Sequence, residues 1–491
     1  MNGSQDHSTR TEHTLDAASL RFRVNLLGCA ALAGYAALTL LSYVQAPALW
    51  RAENATQMLA FFDDLTQRLP ILGLYQSFPS NMAVIWSYWG PLALATLASL
   101  LLVLVLSRRS TAPDEDLVRL IFNWSLGFAA ACALAFPVFT QDMWLSAVWG
   151  RMTSAGVNPY YNIFTPDTIQ GLPLDHFPMV MSYGPLWAVL SAVVTLLAGD
   201  STLAIGVLFK VLLAIAWLAS LWLVERITRG LDARERSLSV GMFGWTPAGV
   251  SQSLAEGHND IALVALLLLW LHLMLRGNWV APLALAASAL CKYVSAPLML
   301  VDAIYAVRRR NVSIPQFLAR YALPGFLVFG TLSLFYRSTA FFDGLKVVSE
   351  WQFLRPSEAF MAIEHLTGLP MLVPRKAAMA FFVLLAIYWL AVCYWSPTNR
   401  VIQKTAIAVM VAVLFAGVSH VWPWYVIWAL ALAVLVPGWW LSRFVFGLSL
   451  LMPFALAAWW IEPVPNHMEH AALILYAGAC LWTFATRERH S

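Results

Sequence analysis

A chain of 491 residues, 60% of them hydrophobic and only 11% charged, carries more apolar surface than a soluble fold of that size can hide. The mean hydropathy of +0.68, with 23 tryptophans and 15 tyrosines, points to an all-α polytopic membrane protein with two membrane–water interfaces. The formal net charge of +4 says little about partners, because topology distributes the basic residues, and no nucleic-acid partner is expected.

In chain order, residues 1–22 form a polar cytoplasmic tail that runs straight into a long span, unlike a cleavable signal. Apolar stretches near 24–45, 83–107, 118–138, 203–225, 318–336, 377–396, 404–419, 423–440, 442–460 and 469–485 are long enough to cross a bilayer. Four shorter pieces, 238–252, 260–275, 279–291 and 294–307, are interrupted by Pro247, Gly257, Pro282 and Pro297. Broken helices at membrane depth survive only where they line a cavity or pack on protein. The expected architecture is one integral membrane domain over 1–491 with about 12–14 transmembrane helices. Cys29, Cys132, Cys291, Cys393 and Cys480 all lie in apolar segments, without metal or disulfide spacing, and read as packing residues.

Arg21/Arg23, Arg108/Arg109, Arg226 to Arg236, Arg308 to Arg310, Arg400/Lys404 and Arg487/Arg489 all face one side if segment 184–199 does not cross. Read as an interfacial or re-entrant helix, that segment restores the positive-inside pattern. Both termini are then cytoplasmic, and 46–82, 139–202 and 337–376 are the large outer segments. The second of these, rich in interfacial tryptophans such as Trp144 and Trp149, is the expected catalytic loop.

Asp142 heads that loop. It either caps or hydrates a helix end, or serves as general base on a hydroxyl held within hydrogen-bonding reach. Arg151, nine residues on, can stand across a groove from it. Gly257-His258-Asn259-Asp260 either binds sugar hydroxyls, binds a metal, or forms a polar turn in which Asp260 caps the next helix. Metal binding is the weaker reading, since no second His or Cys lies at ligand spacing. Lys292, alone between apolar pieces, either snorkels or meets an anion such as a phosphate; Lys210 is a weaker case of the same kind. Ser419 to Tyr425, SHVWPWY, is either an aromatic-belt turn or a sugar platform, with His420, Trp422, Trp424 and Tyr425 in contact. Glu350, Arg355, Glu358 and Glu364 in the third outer segment are not ranked.

Asp142 followed by Gly150-Arg151, Gly156 and Pro159-Tyr160, then Tyr183-Gly184-Pro185-Leu186, Gly257 to Asp260, Lys292 and Trp422-Pro423-Trp424-Tyr425, resembles the GT-C superfamily of membrane glycosyltransferases. Within it the chain is most similar to the polyprenol-phosphate-mannose-dependent α-1,6-mannosyltransferases, over about 118–440. The resemblance implies a GT-C type bundle with outward-facing juxtamembrane helices, in the cytoplasmic membrane with its active site outside. It implies inverting transfer of one sugar from a polyprenyl-phosphate donor to a glycan or glycolipid acceptor, with Asp142 as base and Lys292, helped by Arg151, at the donor phosphate. His258, Asn259, Asp260, Tyr183, His420, Trp422, Trp424 and Tyr425 would then contact sugar or acceptor. No cofactor is expected, with a divalent metal left open. Two spans precede the one leading into Asp142, and its neighbour is Gln141 rather than a second acid; both depart from many relatives. A secondary transporter, which also builds sites from broken helices, and a lipid-linked glycan polymerase or ligase are the competing readings.

Overall fold

The computed structural model describes residues 5–49, 56–69, 81–108, 114–174, 180–336, 354–418, 420–458 and 467–486. Arg109, Glu350, Ser419, Arg487 and Arg489, with parts of the expected outer segments at 50–55, 70–80, 175–179 and 337–353 and the end of the expected span at 442–460, lie outside the described residues.

Among the described residues all regular structure is helical. In chain order these are α1 (Gln5–Leu49), α2 (Thr56–Arg68), α3 (Asn81–Arg108), α4 (Glu115–Ala133), α5 (Asp142–Ser154), α6 (Pro166–Ile169), α7 (Pro185–Ala198) and α8 (Thr202–Thr228). Then come α9 (Ala233–Gly244), α10 (Pro247–Val250), α11 (Asp260–Leu275), α12 (Ala281–Cys291), α13 (Met299–Ile304) and α14 (Ile314–Phe335). Last are α15 (Pro356–Thr367), α16 (Leu372–Trp395), α17 (Asn399–Ala412), α18 (Val426–Ala433), α19 (Trp440–Ala458) and α20 (His467–Ala485).

Seven of these helices are long and apolar enough to cross a bilayer: α1, α3, α4, α8, α14, α16 and α17 with the turn that extends it to Gly417. Five shorter apolar helices accompany them. The chain is thus an all-helical polytopic membrane protein. Helix α8 shows how the sequence specifies it. Ser201 caps its start by accepting the Ala204 N–H. Leu203, Val207, Val211, Ile215, Leu218 and Trp222 are exposed and recur at three- and four-residue spacing, which puts them on one face. A face of that composition needs a hydrocarbon solvent, whereas Ile205, Phe209, Leu213 and Trp217 on the other side are fully buried.

The expected span at 423–440 is about half that length. Helix α18 stops at Ala433, where Leu435 and Val436 donate to carbonyls only three residues back, and Pro437-Gly438 follows. The 14-residue α7 is about 21 Å long, too short to cross a hydrocarbon core of about 30 Å unaided. Pro247 splits α9 from α10, and α10 continues into a π-turn, Ser251–Ala255, closed by the Glu256 N–H to Ser251 O bond. Such single π-turns mark functional sites often.

The basic loops share one end of the bundle. Arg21 pairs with Asp114 and Asp116, Arg236 with Glu115 and Glu225, and Arg400 with Glu235. Arg308 and Arg309 donate to Tyr394 O and Pro397 O. Helix α8 runs from the Asp142 end, where Thr202 donates to Gly171 O, to this basic end.

Candidate active site

Helix α5 begins at Asp142 with Gln141 as its N-cap, and no side chain caps it. The carboxylate is therefore spent elsewhere. Its Oδ2 accepts the Tyr183 hydroxyl at 2.9 Å and meets His258 Nδ1 at 3.2 Å. A carboxylate only accepts, so Nδ1 carries the proton of that pair. Burial alone would push the Asp142 carboxyl up, but the His258 hydrogen bond and charge, then Lys292 and Tyr183, outweigh it and hold the group below its usual value. Burial and the neighbouring Asp142 drive the Tyr183 phenol well above its ordinary range, so it stays protonated and donates.

Tyr183 is delivered by a close backbone approach. The Gly184 N–H donates to Cys291 O at 2.8 Å, and a Cβ on Gly184 would lie 2.0 Å from Leu290 O. Only glycine fits there. Tyr160 donates to Tyr183 O at 2.9 Å, and Trp149 meets its ring edge-on at 5.5 Å. The same contact places Tyr183 beside Lys292, which is extended between α12 and the 3-10 turn Tyr293–Leu298.

Lys292 sits in an aromatic cage. Its ammonium lies 4.3 Å from the Tyr425 ring centre, 4.9 Å from Trp428 and 5.0 Å from Tyr183. It donates to Asp260 Oδ1 at 2.8 Å, and Trp428 Nε1 donates to the same oxygen at 2.5 Å. Asp260 opens α11 without capping it, so here too the carboxylate is turned to the cluster. The anion that Lys292 was expected to meet is thus supplied first by the chain itself.

The third ring system lies on His258. Its imidazole stacks on Trp424 at 3.7 Å and 14°, and Trp422 stacks on the other face of Trp424 at 4.7 Å and 11°. With both faces covered, Trp424 orients His258 instead of offering itself to a sugar. Tyr425 stacks on Trp428 at 4.2 Å, and His420 is buried within 3.5 Å of the Tyr425 hydroxyl. His258 Nε2, Asn259 Oδ1 and Asp260 Oδ2 are buried without a hydrogen-bond partner. Three successive residues holding unspent polar atoms beside a carboxylate suit a ligand rich in hydroxyls or anionic oxygens. Among the described residues no group of three or more His, Cys, Asp and Glu side chains is placed to hold a metal ion.

Asp142, Tyr183, His258, Asp260, Lys292, Trp424 and Tyr425 therefore converge, with Asn259, Trp422 and His420 adjoining them. Arg151 does not join them. Nine residues along one helix amount to about 13 Å and half a turn, and its guanidinium donates to Thr168 O at 3.2 Å and Gln170 O at 2.8 Å. Two members escaped the sequence reading. Trp428 lies one turn after Tyr425 and so shares its face. Glu256 directly precedes the Gly257–Asp260 motif and is buried.

The family model described as alpha-(1->6)-mannopyranosyltransferase, N-terminal domain (MptA_B family), matches residues 18–309, more than half of the chain. The chain is 24% identical over 371 residues to alpha-(1->6)-mannopyranosyltransferase A of Corynebacterium glutamicum, covering 65% of this chain and 71% of that one. No solved structure matches it. The residues that converge on Asp142, up to and including Lys292, fall inside the matched region, and this chain belongs to the MptA/MptB family of GT-C type mannosyltransferases.

Proposed function

We propose that the protein moves one mannosyl unit from a polyprenyl-phosphate donor to an α-1,6-linked mannose on a glycan or glycolipid, inverting C1, at the outer face of the cytoplasmic membrane. The observation that carries this reading is Asp142, a partly buried carboxylate kept ionised by His258 and Tyr183 next to a caged cation. In the reaction the acceptor hydroxyl attacks C1 as the C1–O bond to phosphate breaks. The hydroxyl proton passes to Asp142, and the electron pair of the broken bond leaves with the phosphate. A carboxylate of low basicity suits a late proton transfer, when the new C1–O bond has already acidified the hydroxyl.

Asp260 is the one hydrogen-bond acceptor of Lys292 among the described residues, so the ammonium keeps two protons for phosphate oxygens as their charge grows. For the lipid tail there is a groove of about 380 Å³ lined by Phe136, Met143, Trp144, Leu203 and Val207 among others. Met143 and Trp144, two of its walls, directly follow the base in α5. The basic loops at the opposite end support an outward-facing site by the positive-inside rule.

The test is Asp142→Asn, purified and assayed with a synthetic polyprenyl-phosphate [14C]mannose and an α-1,6-mannobioside. Transfer is expected to fall by about 100-fold or more while the variant stays folded. Unchanged transfer sinks the base assignment.

A further inference from the structure

Close to Asp142 stands a buried carboxylate that has no hydrogen bond to it among the described residues. Glu256 is 2% exposed and ends the π-turn. Its Oε2 accepts the backbone N–H of Val138 at 3.1 Å and of Phe139 at 3.0 Å, and its carbonyl accepts the Thr140 hydroxyl at 3.3 Å. One residue thus holds three successive positions, two residues short of Asp142. Two residues beyond Glu256, His258 meets Asp142. Segments 138–142 and 256–258 are paired at both ends. Between the ends Gly257, at φ +76°, lets them close: a Cβ there would lie 3.2 Å from Met143 Sδ. From behind, Lys210 of α8 donates to Leu254 O and, at 2.6 Å, to Ala255 O, fixing the end of the π-turn.

We infer that Glu256 is a positioning residue that sets where the Asp142 carboxylate stands relative to His258, acting through segment 138–140. The inference rests on the reading of Asp142 as base. A buried carboxylate is costly, and what it adds over a neutral amide at this place is the stronger, charge-assisted acceptance of two adjacent N–H groups by one oxygen. The titratable groups facing Asp142 are His258, Lys292, Tyr183 and Tyr425. Those around Glu256 are Lys210, His258 and Tyr88. If segment 138–140 slips, Asp142 loses part of the His258 contact that keeps it ionised, its carboxyl titrates higher, and the acid limb of activity moves up in pH.

The experiment compares Glu256→Gln and the milder Thr140→Val with wild type, using the polyprenyl-phosphate [14C]mannose and mannobioside pair, with Asp142→Asn as control. Glu256→Gln is expected to lower kcat about tenfold to hundredfold, leave donor KM within about twofold, and shift the acid limb of the kcat profile to higher pH. Thr140→Val should move both readouts the same way by less. Wild-type kcat and pH profile in both variants would overturn the inference. So would a kcat loss that only tracks the lost folded fraction in thermal unfolding, with the acid limb unmoved. Full transfer by Asp142→Asn would instead overturn the base reading beneath it.

Discussion

Lys292 shows how one side chain is made ready for an anion. A lone ammonium at this depth is costly, and the chain compensates with three ring faces and the Asp260 carboxylate. Among the described residues Asp260 is the acceptor with which an arriving phosphate competes for the Lys292 protons. Replacement by alanine should therefore raise donor KM by about tenfold or more while acceptor KM stays within about twofold; equal rises in both, measured by varying each substrate in turn, would count against a phosphate contact. At this scale Lys292 was marked by standing alone between apolar pieces and Asp142 by heading the outer loop, and the structure brings the two into one cluster. Lys210, also isolated in an apolar stretch, is turned instead to backbone carbonyls. Arg151 was misplaced because spacing in sequence says nothing about which face of a helix a residue occupies until the helix register is known. Trp424 was left between an aromatic-belt turn and a sugar platform, and stacking on both faces makes it a support for His258. Glu256 was invisible as a partner because its acceptors' counterparts are backbone N–H groups, which leave no mark in a sequence.

At the scale of elements, the site is made by interruptions. Pro247 and the π-turn end one piece, Gly257 reverses the chain, and Lys292 breaks α12 from the turn that follows. These breaks were readable as Pro and Gly inside apolar runs, and the short pieces expected at 260–275 and 279–291 are α11 (Asp260–Leu275) and α12 (Ala281–Cys291). The unreadable part was which breaks meet. That is decided by close approaches such as Gly184 against Leu290 O, where the glycine permits the contact without saying which backbone it will meet. Gly184→Ala should displace Tyr183 and Lys292 together. We expect a loss of about 1–3 kcal/mol in stability and a transfer rate reduced by more than the folded fraction explains. Wild-type melting and transfer in that variant would show that the contact tolerates a methyl group. The span at 423–440 was overestimated because an unbroken apolar run looks the same whether its helix continues or ends in turns.

For the whole molecule, broken helices with polar residues at their ends also suit a transporter. Membership of a mannosyltransferase family decides for an enzyme, and the gathering of the polar residues at one end of the bundle, away from its basic loops, agrees with that. The fold class was legible because composition excludes a soluble core, and the lipid-facing stripe of α8 repeats that message helix by helix. Orientation rests on the arginines. Arg21, Arg236, Arg308, Arg309 and Arg400 share one end through their ion pairs and carbonyl contacts, and the proposal that this end faces the cytosol follows from the positive-inside rule. Asp167, exposed in the short helix α6, and Gly230, exposed between α8 and α9, lie at opposite ends of α8. On a background with Cys29 and Cys480 changed to alanine, Asp167→Cys should react with a membrane-impermeant maleimide in right-side-out vesicles. Gly230→Cys should react only after the vesicles are opened. The reverse pattern would put the site in the cytosol, where its donor could be a nucleotide sugar, and the lipid-borne donor would lose its main support.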